Sequence, residues 1–200
     1  MSYRGKRLLD LVLTIPALLL SLPVQAVTAA AIRMTMGRPV LFRQTRPGLH
    51  GEPFEMLKFR TMLQLDPKRG LVTDADRMTG LGSFLRSTSL DELPTLWNIV
   101  RGDMSVVGPR PLLMQYLGRY SPEQARRHEV KPGLTGLAQV SGRNAISWES
   151  KFRQDLKYVD NHSVLLDLKI ILRTAVQVLR REGISAEGEA TMPEFTGDSA

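Results

Sequence analysis

A run without a single charged residue extends from Leu11 to Ile32, and basic residues stand at both of its ends. Arg4, Lys6 and Arg7 precede it; Arg33 and Arg38 follow. A run of this length can cross a bilayer. A secretory signal is the first reading, but the uncharged stretch is long for one, and Pro16 and Pro23 interrupt it. A straight span is the second. It would separate the two basic flanks, although lysine and arginine beside membrane segments favour the cytoplasmic side. A segment that enters the membrane and returns satisfies both flanks. Pro23 supplies the break, because it removes an N–H, frees the Leu19 carbonyl and bends a helix. Ser21 and Gln25 offer side-chain partners to backbone groups left open in lipid. The expectation is a re-entrant helix–break–helix over residues 1–38, broken at Pro23 with Ser21 beside it.

The remaining length, out of 200 residues, supports one domain of ordinary core size. There is no cysteine, which excludes a disulfide framework and a Cys-based zinc site. The formal charge of +7 favours anionic partners such as phosphorylated ligands or an anionic bilayer. No nucleic-acid-binding module is recognisable, and such a partner would leave the apolar N-terminus unexplained.

Chemistry concentrates in Ser87-Thr88-Ser89-Leu90-Asp91-Glu92-Leu93-Pro94, where two adjacent carboxylates follow Arg86. Ser89 and Glu92 match a capping box. In that register, however, Pro94 falls where its ring crowds a carbonyl. A helix starting at Asp91 puts Pro94 in the first turn and makes Asp91 the cap, facing backbone N–H groups that also suit phosphate. Asp91 and Glu92 read as the reacting carboxylates, with arginines holding phosphate. Downstream, Pro109 and Pro111 restrict the backbone around Arg110, presetting a guanidinium for bidentate phosphate contact.

The segments Val40 to Gln44 and Phe54 to Phe59 read as a hairpin around the turn-rich Arg46-Pro47-Gly48. Lys58 and Arg60 alternate with Phe59, which would put both cations on one face, either binding ligand or solvating an edge strand. Residues 64 to 80 read as a loop or broken helix. Its Asp74-Ala75-Asp76 resembles a metal-binding D-x-D only superficially, since no strand leads into it. A helix follows to Val100 and stops at Gly102. Ser121 to Val130 is helical, and Gly133 and Gly136 allow close backbone approach. Ser147 caps a helix containing Phe152, Leu156 and Val159, with Arg143 and Asn144 in the preceding loop as ligand contacts. In Val164 to Arg181, Leu168, Ile171, Leu172, Ala175 and Leu179 make an apolar stripe opposite Lys169, Arg173, Arg180 and Arg181, suited to a core or a membrane interface. The tail beyond Gly183 is expected to be loose.

There is no P-loop and no G-x-G-x-x-G run, and His50, His128 and His162 lack metal-ligand spacing. A metal held here by oxygen ligands would be Mg²⁺.

Six motifs stand in order: Lys6-Arg7-x-x-Asp10, Lys58-Phe59-Arg60-Thr61-Met62, Thr88 to Pro94, Gly102-Asp103-Met104-Ser105, Gly108-Pro109-Arg110-Pro111-Leu112 and Pro132-Gly133-Leu134-Thr135-Gly136. The set resembles the bacterial sugar transferase family, the monotopic phosphoglycosyl transferases. Gly142-Arg143-Asn144-Ala145-Ile146-Ser147-Trp148-Glu149 looks most like the PglC type, which transfers phospho-N,N'-diacetylbacillosamine from UDP to undecaprenyl phosphate. The resemblance implies a fold of class α+β, mostly helical: a re-entrant membrane helix (1–38), a small globular catalytic domain (39–185) with a short β-hairpin and interfacial amphipathic helices, and a tail (186–200). It implies Mg²⁺ dependence and ping-pong chemistry, with Asp91 as nucleophile and metal ligand, Glu92 as its partner, and Arg86 and Arg110 on phosphate. It places the catalytic domain on the cytoplasmic face of the bacterial inner membrane. In the family the break is Ser-Pro; here Leu22 precedes Pro23 and serine stands one place earlier. Two other readings of the residues remain: a metal-dependent lipid phosphatase or phosphodiesterase, and a polybasic membrane adaptor without catalysis.

Overall fold

The computed structural model describes residues 3–142, 146–180 and 194–197. In chain order the elements are α1 (Lys6–Thr35), β1 (Leu41–Pro47), β2 (Pro53–Phe59), α2 (Asp74–Arg77), α3 (Gly80–Ser87), α4 (Thr95–Arg101), β3 (Ser105–Val107), α5 (Pro122–Ala125), β4 (Gly133–Thr135), α6 (Leu137–Val140), α7 (Trp148–Asn161) and α8 (Val164–Arg180). Helices dominate, and the strands form two small pairs. β1 and β2 make the expected antiparallel hairpin, from Leu41 opposite Phe59 to Pro47 opposite Pro53. β3 and β4 pair in parallel, Ser105 opposite Gly133 and Val107 opposite Thr135. At Gly108 and Gly133 the backbones touch: a Cβ on Gly133 would lie 2.1 Å from the Gly108 nitrogen.

The N-terminal helix departs from expectation. It runs unbroken from Lys6 to Thr35 through both Pro16 and Pro23, so the predicted helix–break–helix is a single helix. Each proline removes one N–H from the ladder, and the helix packs against the domain on both sides of Pro23, at Leu18 and at Ile32. Ser21 Oγ donates to the Leu18 carbonyl rather than to the one Pro23 frees, and Gln25 Nε2 donates to Ser21 Oγ. Asp10, Thr14, Leu18, Ser21, Gln25, Thr28 and Ile32, buried or half-buried, are spaced three or four apart on one face. That face lies along the domain. Leu18 packs with Met56, Leu96 and Ile99, and Ile32 packs with Phe59 and Leu85. Leu8, Val12, Leu19, Leu20 and Val27 point away and are exposed.

The Lys6-Arg7-x-x-Asp10 motif fastens the start of this helix. Lys6 Nζ meets Asp167 at 2.5 Å and donates to the Val107 carbonyl. Arg7 donates to the carbonyls of Ile99 and Val100, capping the end of α4. Asp10 accepts from Ser105 Oγ and the Val106 N–H. Asp167, on α8, is fully buried and also accepts from Tyr3 and Tyr158. Two cations of the basic flank are therefore internal fasteners.

The inward face of α8 also differs from the expected stripe. Asp167, Ile170 and Thr174 turn inward, while Leu168 and Leu172 are exposed at 44% and 66%. Thr174 bonds Thr135 of β4, and Gln177 donates to the Val140 carbonyl. The expected loose tail is corrected at residues 194–197. Phe195 is buried among Tyr116, Tyr120, Trp148 and Phe152, its ring 5.0 Å from that of Phe152. Glu194 accepts from Gln115 and Arg119 beside it. An aromatic cage compensates for a segment without secondary structure.

Candidate active site

Helix α4 fixes the position of the two carboxylates, and two polar side chains fix α4. Thr95 Oγ1 donates to the Leu57 carbonyl. Asn98, fully buried, accepts from the Leu57 N–H and donates to the Glu55 carbonyl. The outer edge of β2 thus finds its partners in helix side chains instead of a third strand, which satisfies backbone groups that burial would otherwise leave open. On the N-terminal side, α3 ends at Ser87 and the chain turns at Ser89, whose φ of 57° is left-handed. A serine held there is strained. A one-turn 3₁₀ segment, Leu90–Glu92, follows, and Pro94 is the N-cap of α4. Neither helix start read from the sequence is present. Ser89 makes no side-chain cap, and Asp91 lies before the helix rather than capping it. Leu90 and Leu93 pack inward against Ile32, Phe59 and Leu85, so Asp91 and Glu92 face the cleft on the other side.

Glu92 Oε1 meets Lys58 Nζ at 2.6 Å and an Arg110 nitrogen at 3.2 Å. Burial works to raise the Glu92 carboxyl, but Lys58 and Arg110 outweigh it and bring it down to about 2. Glu92 is therefore ionised at neutral pH. Asp91 is the opposite case: its side chain makes no hydrogen bond or ion pair among the described residues. Burial, and then the neighbouring Glu92 charge, push its carboxyl up to about 6 against the pull of Lys58, Arg86 and Arg110. Adjacent acids driven apart in this way hold one anchored charge and one available oxygen.

Lys58, Arg86 and Arg110 surround the pair as expected, and all line the cleft. Arg86 is steadied by its Nε bond to Thr61 Oγ1, 3.1 Å long. Arg60 lines the same cleft but its guanidinium is turned to the carbonyls of Met36, Gly37 and Arg38 at the end of α1. It follows the last residue of β2, where strand alternation no longer dictates its side, and it caps a helix instead of facing Glu92. Arg143 and Asn144 lie outside the described residues. In Asp74-Ala75-Asp76, Asp76 closes a capping box with Thr73, and Asp74 pairs with Arg77. Their oxygens serve the local turn.

A buried pair not foreseen from the sequence supports Arg110. Arg127 donates through two nitrogens to Asp155, at 2.7 and 3.1 Å, and from one of them to the Arg110 carbonyl at 2.8 Å. Asp155 sits on the inward face of α7 with Phe152 and Val159, a carboxylate in an apolar pattern. That break in the pattern was the available signal.

Residues 1–181 match the family model described as bacterial sugar transferase. The chain belongs to the bacterial sugar transferase family. Among relatives, the "Uncharacterized sugar transferase EpsL" of Bacillus subtilis is 53% identical over 193 residues, covering 96% of each chain. A UDP-glucose:undecaprenyl-phosphate glucose-1-phosphate transferase of Caulobacter vibrioides is 43% identical, over 87% of this chain and 69% of that one. A UDP-galactose-lipid carrier transferase of Erwinia amylovora is 40% identical over 89% of this chain, which spans only 41% of its length. The sugar transferase carries α1 as its one helix long and apolar enough, among the described residues, to cross a membrane.

Proposed function

We propose that this sugar transferase moves a sugar 1-phosphate from a UDP-sugar to undecaprenyl phosphate, through a phospho-sugar bonded to Asp91. The observation that carries the nucleophile is the contrast within the pair: Glu92 is held by Lys58 and Arg110, while Asp91 faces the cleft without a hydrogen-bonding partner. An Asp91 oxygen attacks the sugar-bearing phosphorus, the bond to the bridging oxygen breaks, and UMP leaves with the electron pair. An oxygen of the acceptor phosphate then attacks the same phosphorus and releases Asp91 as a carboxylate. Arg86 and Arg110 balance the phosphate charge. Glu92, already ionised, anchors Lys58 and Arg110 and has no proton to give at neutral pH. Splitting the transfer lets a soluble donor and a lipid-confined acceptor use one site in turn.

Asp91, whose carboxylate faces the cleft, would hold Mg²⁺ here, because Mg²⁺ usually takes only one or two protein carboxylates. Mg²⁺ would supply charge neutralisation on the diphosphate.

The outward apolar faces of α1 and α8 support a monotopic seat on the cytoplasmic face of the inner membrane, with both ends of α1 on the domain's side. The place in metabolism is the first membrane step of glycoconjugate assembly. The donor is UDP-N,N'-diacetylbacillosamine or a similar UDP-N-acetylamino sugar, a reading supported by residues 142–149. Relatives named for glucose and galactose make UDP-glucose and UDP-galactose the competing donors.

The test is UMP release across these UDP-sugars, with the protein in lipid and undecaprenyl phosphate present. Asp91→Asn is expected to lose about 10³-fold or more in turnover and to yield no phospho-sugar adduct by mass spectrometry of the intact protein. Near-normal turnover of that variant would exclude the nucleophile. Release of free sugar phosphate or inorganic phosphate would instead support the hydrolase reading.

A further inference from the structure

Three hydroxyls stand in a row at the end of α3, and the first two turn back to the helix. Ser87 Oγ donates to the Phe84 carbonyl at 2.9 Å. Thr88 Oγ1 donates to the carbonyls of Phe84 and Leu85 at 2.8 and 3.2 Å. Such back-bonding is the usual local use of these side chains. Ser89 breaks the series: its hydroxyl makes no hydrogen bond among the described residues.

The turn at Ser89 is complete without that side chain. The Ser89 N–H donates to the Arg86 carbonyl, and the Ser89 carbonyl accepts from the Glu92 N–H, each at 3.2 Å. Its φ of 57° would cost a glycine nothing and strains a serine. His50, the other non-glycine residue of positive φ among the described residues, belongs to the hairpin turn. Ser89 instead lines the cleft, together with Arg86 and Asp91. Leu90, between Ser89 and Asp91, packs inward, and Arg86 is steadied by Thr61. One turn of backbone therefore fixes a guanidinium, a hydroxyl and the Asp91 carboxylate relative to one another. Strain at a residue that adds nothing to its own turn points to work done elsewhere.

We infer that the Ser89 hydroxyl is a further catalytic group, donating a hydrogen bond to a non-bridging oxygen of the sugar-bearing phosphate. The inference rests on the transfer reaction proposed above. Negative charge spreads over these oxygens while the attacking and leaving bonds exchange. A donor held in place beforehand stabilises that charge without reorganising. Arg86 and Arg110 supply charge, and the short hydroxyl supplies direction. Its proton stays on Ser89 throughout. The same phosphorus is attacked twice, first by Asp91 and then by the acceptor phosphate, so the hydroxyl serves both halves of the reaction.

The experiment is single-turnover kinetics on the full chain in lipid, using whichever UDP-sugar of the panel releases UMP fastest. Mass spectrometry of the intact protein follows the adduct as it forms and as undecaprenyl phosphate discharges it. Ser89→Gly removes the hydroxyl and relieves the turn. It is expected to raise the melting temperature yet slow both half-reactions about 10- to 100-fold, the effect of one lost hydrogen bond to a charged group. Ser89→Ala keeps the strained turn and is expected to slow both equally, without the gain in melting temperature. Parental rates in Ser89→Gly would overturn the inference, even beside a slow Ser89→Ala, because only the turn would then matter. Slowing of one half-reaction alone would overturn it too, assigning the hydroxyl to UMP or to the acceptor. Ser89→Gly carries the test if Ser89→Ala does not fold. An unaltered protein that released UMP without an adduct would refute the Asp91 intermediate and leave UMP release to judge the hydroxyl. No UMP from any UDP-sugar would sink the transfer reaction itself.

Discussion

Lys58 and Glu92 show how one ion pair sets the character of its neighbours. Removing the ammonium in Lys58→Met leaves Glu92 with Arg110 as its charged partner among the described residues and takes from Asp91 a cation that favours its ionised form. Turnover is expected to fall about 10- to 100-fold, equivalent to about 1.4–2.7 kcal/mol in the barrier, with the fold intact; UMP-release kinetics alongside a thermal melt test this. His128 offers a different residue-scale test. Its Nδ1 lies 3.2 Å from the Gly48 carbonyl, and Nε2 is buried without a partner. Burial, and then the Arg127 charge, lower its pKa from 6.5 to about 4 against that carbonyl contact. Between those values the unfolded chain binds a proton that the folded chain refuses. This share of stability is complete above pH 6.5 and declines as the pH falls toward 4. The melting temperature is expected to drop between pH 7 and pH 5, less steeply in His128→Gln. Equal slopes in the two proteins would contradict the assignment. That Asp91 and Glu92 stand together after Arg86 as the candidate reacting acids was readable in the sequence. Their division of labour was not, because it depends on Lys58, which is 34 positions away from Glu92.

At the scale of elements, the hairpin, the stop at Gly102 and the cap at Ser147 follow local rules and agree with the sequence reading. Local rules misplaced the start of α4. Capping patterns were weighed for Ser89 and Asp91, but Leu90 and Leu93 seek the core, and Glu92 finds Lys58 in preference to a backbone N–H. Asn98 decides where α4 docks. In Asn98→Leu the Leu57 N–H and the Glu55 carbonyl lose their partners. The expected cost is about 2–3 kcal/mol, with reduced UMP release, because the turn carrying Asp91 leads directly into this helix. A melt unchanged from the parent would show that water replaces the amide. In α1 and α8 the periodicity was correctly helical, but the reading left open whether the apolar stripe of α8 meets a core or a membrane, and the structure exposes Leu168 and Leu172. Amphipathic pattern gives two faces and does not say which one meets protein.

Across the whole molecule, α1 and α8 share an arrangement unlike that of an ordinary helix covering a water-soluble core. Each turns polar groups inward (Asp10, Thr14 and Thr28; Asp167 and Thr174) beside buried Leu18, Ile32 and Ile170, and leaves large apolar residues exposed. That order suits a protein seated against lipid, where the outward face needs no water-soluble groups and inward polar groups pair among themselves. Residues 194–197 close a separate aromatic cluster. Phe195 bridges the 3₁₀ segment Met114–Arg119 and α7, the helix that carries Lys151 and Asp155. Phe195→Ala is expected to destabilise the protein by about 3–5 kcal/mol, read as a lower melting temperature. A truncation before residue 194 is expected to match it. A melt unaffected by either change would show that the cage holds without its central ring.

Sequence alone determined the residue types at hand and the kind of elements: an N-terminal helix with a long uncharged run, a hairpin, two adjacent acids among arginines, and motifs enough to name the family. These are properties of residue type and short spacing, which survive any arrangement in space. Tertiary structure decided which acid is anchored and which is open, why Arg60 caps a helix while Lys58 meets Glu92, and how Phe195 returns to the domain. Each of those depends on burial and on charges far apart in the chain. Desolvation and Coulomb energy are functions of distance through space, and spacing along the sequence does not contain them.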